Sequence, residues 1–259
     1  MCTSWLIAGL KPLWSPADAG RGPSRRVRRP VTFSTVVDLT HVLRPDFPTY
    51  GGDPAVVIQP FKTWANEKVN SAHWRIREHA GTHLDAPIHF TADGRTIDRV
   101  TAEELVVPLA IVDISARAAD DPDTTVTPDD IKAWESRHGT LPEGCCVAMR
   151  SGWDTRTNGP GYRNADEAGV MHFPAFHDET ARFLIEERDV LGLGVDTLSI
   201  DPGPSKEMRT HRTWLPANRW AVEGLANLGK LPPVGATLVA MSPPVQGASG
   251  GPGRVVALV

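Results

Sequence analysis

The chain has 259 residues, 41% of them hydrophobic and 22% charged, with a formal net charge of −4. That length and apolar content suffice for a packed core, and the acidic balance excludes a dedicated nucleic-acid binder, which needs a concentrated basic face. The one basic cluster, Arg25, Arg26, Arg28 and Arg29, is set among Gly, Ser and Pro and reads as a solvated tail.

Three cysteines, Cys2, Cys145 and Cys146, cannot build a disulfide framework, which points to a reducing, cytoplasmic compartment. The apolar patch Trp5 to Leu10 follows no basic region and is too short for a signal core or a membrane span. Residues 1–32 are therefore expected to be an extension, disordered and outside the fold.

The first element is a strand over Thr32 to Thr40, ending in Asp38-Leu39-Thr40-His41. The Pro- and Gly-rich stretch from Arg44 to Pro54 is a loop carrying Phe47 and Tyr50 as exposed aromatics. Strands follow at Ala55 to Phe61 and Ala72 to Glu78, the second alternating Trp74, Ile76 and Glu78 with His73, Arg75 and Arg77. A short helix at Thr101 to Leu105 and a buried strand at Leu109 to Ile114 come next. Thr127-Pro128-Asp129-Asp130 caps a helix running to His138-Gly139. A strand over Cys145 to Arg150 leads into a long polar segment, 154–176, long enough to be a lid. Beyond it are an amphipathic helix at Asp178 to Arg188, a strand at Val190 to Val195, and closing strands at Thr237 to Met241 and Arg254 to Val259. Strands outnumber helices and the two are mixed, without an internal repeat. One strand-rich, mixed α/β domain over 33–259 is expected.

The chemistry concentrates at His79-Ala80-Gly81-Thr82-His83-Leu84-Asp85-Ala86-Pro87-Ile88-His89. His79 and His83 lack the Glu that follows the first His of a zinc-protease helix, and Gly81 and Pro87 argue against a helix at all. On an extended segment, odd-numbered side chains share one side, so His79, His83 and Asp85 would face a common ion with Gly81 leaving room. His89 would lie about 33 Å from His79 on a continuous strand. The chain must therefore curl after Asp85, and Pro87 is the place. Imidazole and carboxylate without thiolate suit zinc, manganese or ferrous iron in an open site.

This stretch resembles the signature of the cyclase family of metal-dependent hydrolases, the family of bacterial kynurenine formamidase and isatin hydrolase. The similarity extends to Asp38-Leu39-Thr40-His41, Gly52-Asp53-Pro54, Asp196 to Asp201 and Ser205-Lys206. It implies a domain of the swivelling β/β/α type that hydrolyses an amide or lactam C–N bond of a small aromatic or cyclic substrate. It also implies one or two divalent ions, zinc or manganese, held by His79, His83 and Asp85, with Asp85 bridging to a second site completed by His211 and Glu223. Twelve helical residues would separate that last pair by about 18 Å; a reversal between them is required, and Pro216 with Asn218 allows one. The resemblance casts His89 as general acid/base, with a further metal ligand as its alternative. Thr82 is expected to orient a ligand, Asp196 and Asp201 to buttress the site, and Phe47, Tyr50 and Trp64 to line the substrate pocket, with Trp74 a further candidate. Relatives imply a homodimer or homotetramer. A lactone or isatin hydrolase, or a relative that binds metal or ligand without turnover, are the alternative readings.

Overall fold

The computed structural model describes residues 32–259. The expected extension over 1–32, with its basic cluster and Cys2, lies outside the described residues except for Thr32.

In chain order the strands are β1 Val36–Asp38, β2 Val56–Lys62, β3 Ser71–Ile76, β4 His83–Asp85, β5 Val106–Asp113, β6 Thr125–Val126, β7 Cys146–Arg150, β8 Ala175–Phe176, β9 Gly192–Val195, β10 Trp220–Glu223, β11 Ala236–Met241, β12 Gly250–Pro252 and β13 Arg254–Leu258. The helices are α1 Trp64–Glu67, α2 Ser115–Asp120, α3 Pro128–His138, α4 Asp178–Arg188 and α5 Arg209–Trp214. Nine strands form one sheet in the order β1-β13-β11-β5-β7-β9-β10-β4-β12. Its centre, β5-β7-β9-β10, is parallel, and β4 and β12 extend it antiparallel at one end. The architecture is the mixed, strand-rich α/β fold anticipated.

The central strands are short apolar runs because both faces are covered. Along β5, Leu109 and Ile111 enter one core with Leu84, Val222 and Leu238, while Ala110 and Val112 enter the opposite core with Ile131, Trp134 and Leu184. That division is the two-residue alternation of a pleated strand. Helix α3 is held over the second core by its ends. Thr127 and Asp130 form a capping box, Pro128 opens the first turn, and the Trp134 indole N–H donates to the Ile111 carbonyl at 2.8 Å.

Two features place the site. Between α5 and β10 the chain reverses through a 3₁₀ turn at Leu215–Ala217, with Asn218 at φ 61°. The reversal expected at Pro216 and Asn218 is thus present, and it returns β10 parallel to β9. On the other side, β4 pairs with β10 so that His83 stands directly opposite Glu223.

Three expectations change. The helix at Thr101 to Leu105 is a 3₁₀ turn, Ala102–Leu105, still closed by a Thr101–Glu104 capping box. The 154–176 segment is a packed wall rather than a free lid: Tyr162 and Phe173 are fully buried and the Trp153 indole N–H donates to the Tyr162 carbonyl. Its polar composition conceals these few anchors. Finally, β2 and β3 form a separate two-stranded ribbon whose residues are almost all exposed. Among the described residues no helix is long and apolar enough to cross a membrane.

Candidate metal centre

The motif does not run as one extended strand. Gly81 sits at φ 66°, and a Cβ there would come within 2.8 Å of Leu43 Cδ1, so the chain bends at a position suited to glycine alone. Strand β4 starts only at His83. His79 therefore reaches the cluster by the bend and not by strand parity, which correctly relates only His83 and Asp85. Past Asp85 the chain does curl, through a 3₁₀ turn at Pro87–Phe90 that brings His89 back. The His89 and His79 rings stack with centroids 3.8 Å apart.

Asp85 lies at the centre. Oδ1 is 2.6 Å from His79 Nδ1 and 3.4 Å from His83 Nε2, and Oδ2 is 3.4 Å from His211 Nε2. Glu223 spans the far side, 3.4 Å from His83 Nε2 and 3.3 Å from His211 Nε2. His211 and Glu223 thus fold back onto Asp85, although they are twelve residues apart in sequence. Two overlapping sets of potential ligand atoms result, His79, His83 and Asp85, and Asp85, His89 and His211, with Asp85 common to both.

Each imidazole of the first three is tied at one nitrogen and presents the other to the carboxylates. His83 Nδ1–H donates to the Gly81 carbonyl at 2.9 Å, and His211 Nδ1–H donates to Asp201 Oδ2 at 2.6 Å. His79 Nε2 is 2.8 Å from Ser249 Oγ, whose hydroxyl donates to Glu78. Ser249 then accepts from His79 Nε2–H, which leaves Nδ1, 2.6 Å from Asp85 Oδ1, as the nitrogen turned into the cluster. Among the described residues, His83 Nε2 and Asp85 Oδ2 are buried without a hydrogen-bond partner, an arrangement costly in the absence of an ion. Such outer partners are how proteins fix the tautomer of ligating histidines. The four imidazoles and two carboxylates fit a divalent cation of the zinc–manganese–iron type.

The electrostatics agree. Burial pulls His83 down, but the Asp85 and Glu223 carboxylates push it up to about 10, and His211 is raised for the same reason by Asp201, Asp85 and Glu223. In the reverse direction, burial works against ionised Asp85 and Glu223, yet the surrounding histidines hold the Asp85 carboxyl well down and keep Glu223 below its usual range. The two carboxylates thus set a negative potential on the imidazole nitrogens that face them. His89 differs: burial lowers it to about 4, leaving a neutral ring with no hydrogen-bond partner at its nitrogens among the described residues.

The remaining expected residues are placed as follows. Asp201 accepts from the backbone N–H groups of Thr210 and His211 as well as from the His211 ring, so it buttresses the centre directly. Asp196 instead accepts from Ser151 and Gly152 and fixes the turn after β7. Thr82 touches no ligand side chain: its Oγ1 accepts from His41 N–H and donates to the Gly224 carbonyl, which locks the backbone beside Glu223. Phe47 is 2% exposed, packed against Tyr162 and His41 in the core and not on an exposed loop. Tyr50 is 39% exposed, and burial with the Asp201 and Glu223 charges raises its phenol. Trp64 and Trp74 stand on the ribbon, 61% and 69% exposed. Sequence reasoning missed Ser249 and Gly250. A Cβ at Gly250 would lie 2.7 Å from His79 Cε1 and 2.3 Å from the Leu84 carbonyl, so glycine is what lets β12 approach. Their only signal was the Gly-rich run from Gly247 to Gly253.

The Cyclase family model matches residues 37–202. Isatin hydrolase of Roseibium aggregatum is 34% identical over 243 residues, covering 86% of this chain and 91% of the relative. Among solved structures, isatin hydrolase A from Labrenzia aggregata bound to benzyl benzoate superposes with a TM-score of 0.82 at 34% identity, over 87% of this chain and 93% of that one. Isatin hydrolase A from Ralstonia solanacearum gives 0.81 at 34%, over 87% and 92%.

Proposed function

The chain belongs to the Cyclase family, and from that premise we propose that it is a metal-dependent hydrolase that opens the C–N bond of a small aromatic lactam or aryl amide. The observation that carries the reading is the set of three imidazoles, each anchored at one ring nitrogen by Ser249, the Gly81 carbonyl or Asp201 and each turned at the other toward Asp85, with those of His83 and His211 also facing Glu223. What supports an isatin-like lactam is the 34% identity to isatin hydrolases; an aryl formamide presents the same bond in open form.

His79, His83 and Asp85 would hold a divalent ion, zinc or manganese, with His211 and Glu223 offering a second position, and the chemistry such an ion would supply there is Lewis acidity and a lowered water pKa. The protein groups do the rest. Asp201, Ser249 and the Gly81 carbonyl keep the imidazole tautomers fixed, so no reorganisation is needed during the reaction. His89, neutral and stacked on His79, takes a proton from the attacking water at a ring nitrogen and returns it to the departing nitrogen. Tyr50 is the aromatic this reading assigns to the substrate. Phe90, whose ring is 4.6 Å from that of His211, offers an apolar wall.

The test is a panel of isatin, N-formylkynurenine, simple aryl formamides and lactones on protein reconstituted with zinc or manganese. Metal-dependent turnover of a C–N substrate is expected. Stoichiometric metal without turnover of any would support a binding relative instead.

The functional unit we propose is a homo-oligomer, a homodimer or homotetramer. Supporting it is the β2–β3 ribbon, whose strands pair only with each other among the described residues, yet which with its connecting turn exposes Val57, Ile58, Phe61, Trp64, Val69 and Trp74. A lone hairpin is marginal in water and needs a surface to pack on, and a patch of this kind marks an association site. A second copy supplies that surface.

A further inference from the structure

His89 and the ligands His211 and Glu223 reach the centre on different pieces of chain. His89 rides on the 3₁₀ turn Pro87–Phe90, whereas His211 and Glu223 flank the reversal through Leu215–Ala217 and Asn218. Neither turn is part of a strand, so sheet register does not set one against the other. One residue does. Arg95 Nε donates to Asn218 Oδ1 at 2.5 Å, and its two terminal nitrogens donate to the two Glu104 oxygens at 2.8 Å each. The fork is thus bidentate on a carboxylate while the remaining N–H is committed to the reversal. Glu104 is itself fixed, 7% exposed and accepting from the Thr101 N–H at 2.9 Å in the capping box of the 3₁₀ turn that leads into β5.

The main chain of the same residue holds the other turn. The Arg95 carbonyl accepts from the Ile88 N–H at 3.1 Å, one residue before His89. Gly94 lies so close over this peptide that a Cβ there would come within 2.6 Å of the Ile88 nitrogen and 2.7 Å of the Pro87 carbonyl carbon. Residue 95 therefore grips the His89 turn by its backbone and the His211–Glu223 reversal by its side chain. Between the two grips the His89 and His211 rings stand with centroids 5.9 Å apart, and the Phe90 ring touches both.

We propose that Arg95 is a positioning residue for turnover: by clamping the Pro87–Phe90 turn to the Asn218 reversal it fixes where the His89 ring stands relative to His211 and Glu223. This rests on the hydrolase reading above and adds to it the group that sets the proton carrier against the metal ligands. The distance matters because a misplacement of about 1 Å can cost about 100-fold in rate. Arg95 touches no reacting atom, so its loss should act through His89 and leave substrate binding nearly intact.

Two variants open the clamp in different ways. Asn218→Gly removes the Oδ1 acceptor, and glycine accepts the φ of 61° found there. Arg95→Met/Glu104→Gln removes the ion pair as a unit, so that no charge is left unpaired, and Gln keeps the capping box. In zinc-loaded protein, with isatin or the first C–N substrate that wild type turns over in the panel above, both variants should retain zinc. Each should lose about tenfold in kcat with KM within about twofold of wild type. Histidine-labelled, zinc-loaded protein gives a second readout by NMR. The His89 ring protons, shifted by the Phe90 and His79 rings, should move toward free-histidine values in both variants, while those of His172, paired with Asp123 outside the centre, stay in place. A wild-type kcat or unmoved His89 signals in either folded variant overturns the proposal. Loss of zinc in step with turnover also overturns it, because the clamp would then serve the ligands and not His89. If wild type turns over no member of the panel, the hydrolase reading fails and the His89 signals alone decide the clamp: moved signals uphold it and unmoved signals overturn it.

Discussion

Asp85 joins the two halves of the centre, because its oxygens face His79 and His83 on one side and His211 on the other. Removing an imidazole from the closed side leaves that carboxylate short of a partner, so His83→Ala should abolish metal retention in elemental analysis after dialysis. His89→Ala should keep the metal and lose turnover, and metal loss in that variant would make His89 a ligand. Asp201→Asn leaves a weaker acceptor for the His211 ring, and metal affinity should drop about 10–100-fold in a chelator competition. Asp196 offers a test by pH. Burial raises it from 3.8 to about 6 despite the Ser151 and Gly152 hydrogen bonds. An acid with a higher pKa folded than unfolded contributes most below the unfolded value and less as pH rises through the folded one. The stability of wild type relative to Asp196→Asn should therefore decline by about 2 kcal/mol between pH 3.8 and 6, measured by urea unfolding. A difference that stays flat or grows over that window would show the hydrogen bonds to outweigh burial.

At the scale of elements, α3 was legible nearly to the residue because its start and stop are chemical: Thr127 caps, Pro128 opens and Gly139 closes. Thr127→Ala should cost about 1 kcal/mol in thermal or urea unfolding without changing turnover. The metal ligands were legible for a different reason, since a dense His/Asp pattern with Gly and Pro has few other uses. What the sequence concealed was path. Alternation predicts the shared face of His83 and Asp85, but it cannot show that Gly81 adopts a positive φ and takes His79 off the strand. The buried state of Phe47 was equally hidden, because a loop rich in Pro and Gly gives no sign of packing against Tyr162. Ser249 is remote in sequence from His79 by 170 residues, and only the pairing of β12 with β4 brings them together.

For the whole molecule, the site is a consequence of topology. Strand β10 is shared by the parallel βαβ crossover that delivers His211 and by the antiparallel pair with β4 that delivers His83 and Asp85. The exposed ribbon extends this logic beyond one chain. Trp74→Glu, placing a charge on its most exposed ring, should shift the protein from oligomer to monomer in light scattering after size exclusion. An unchanged mass would remove the ribbon from the interface. The central claim, that His79, His83, Asp85, His211 and Glu223 form a metal centre on which hydrolysis depends, is tested most directly by turnover of isatin before chelation, after chelation and after readdition of zinc or manganese. The account predicts loss of activity with the metal and its recovery on readdition, and full activity in the metal-stripped protein would contradict it.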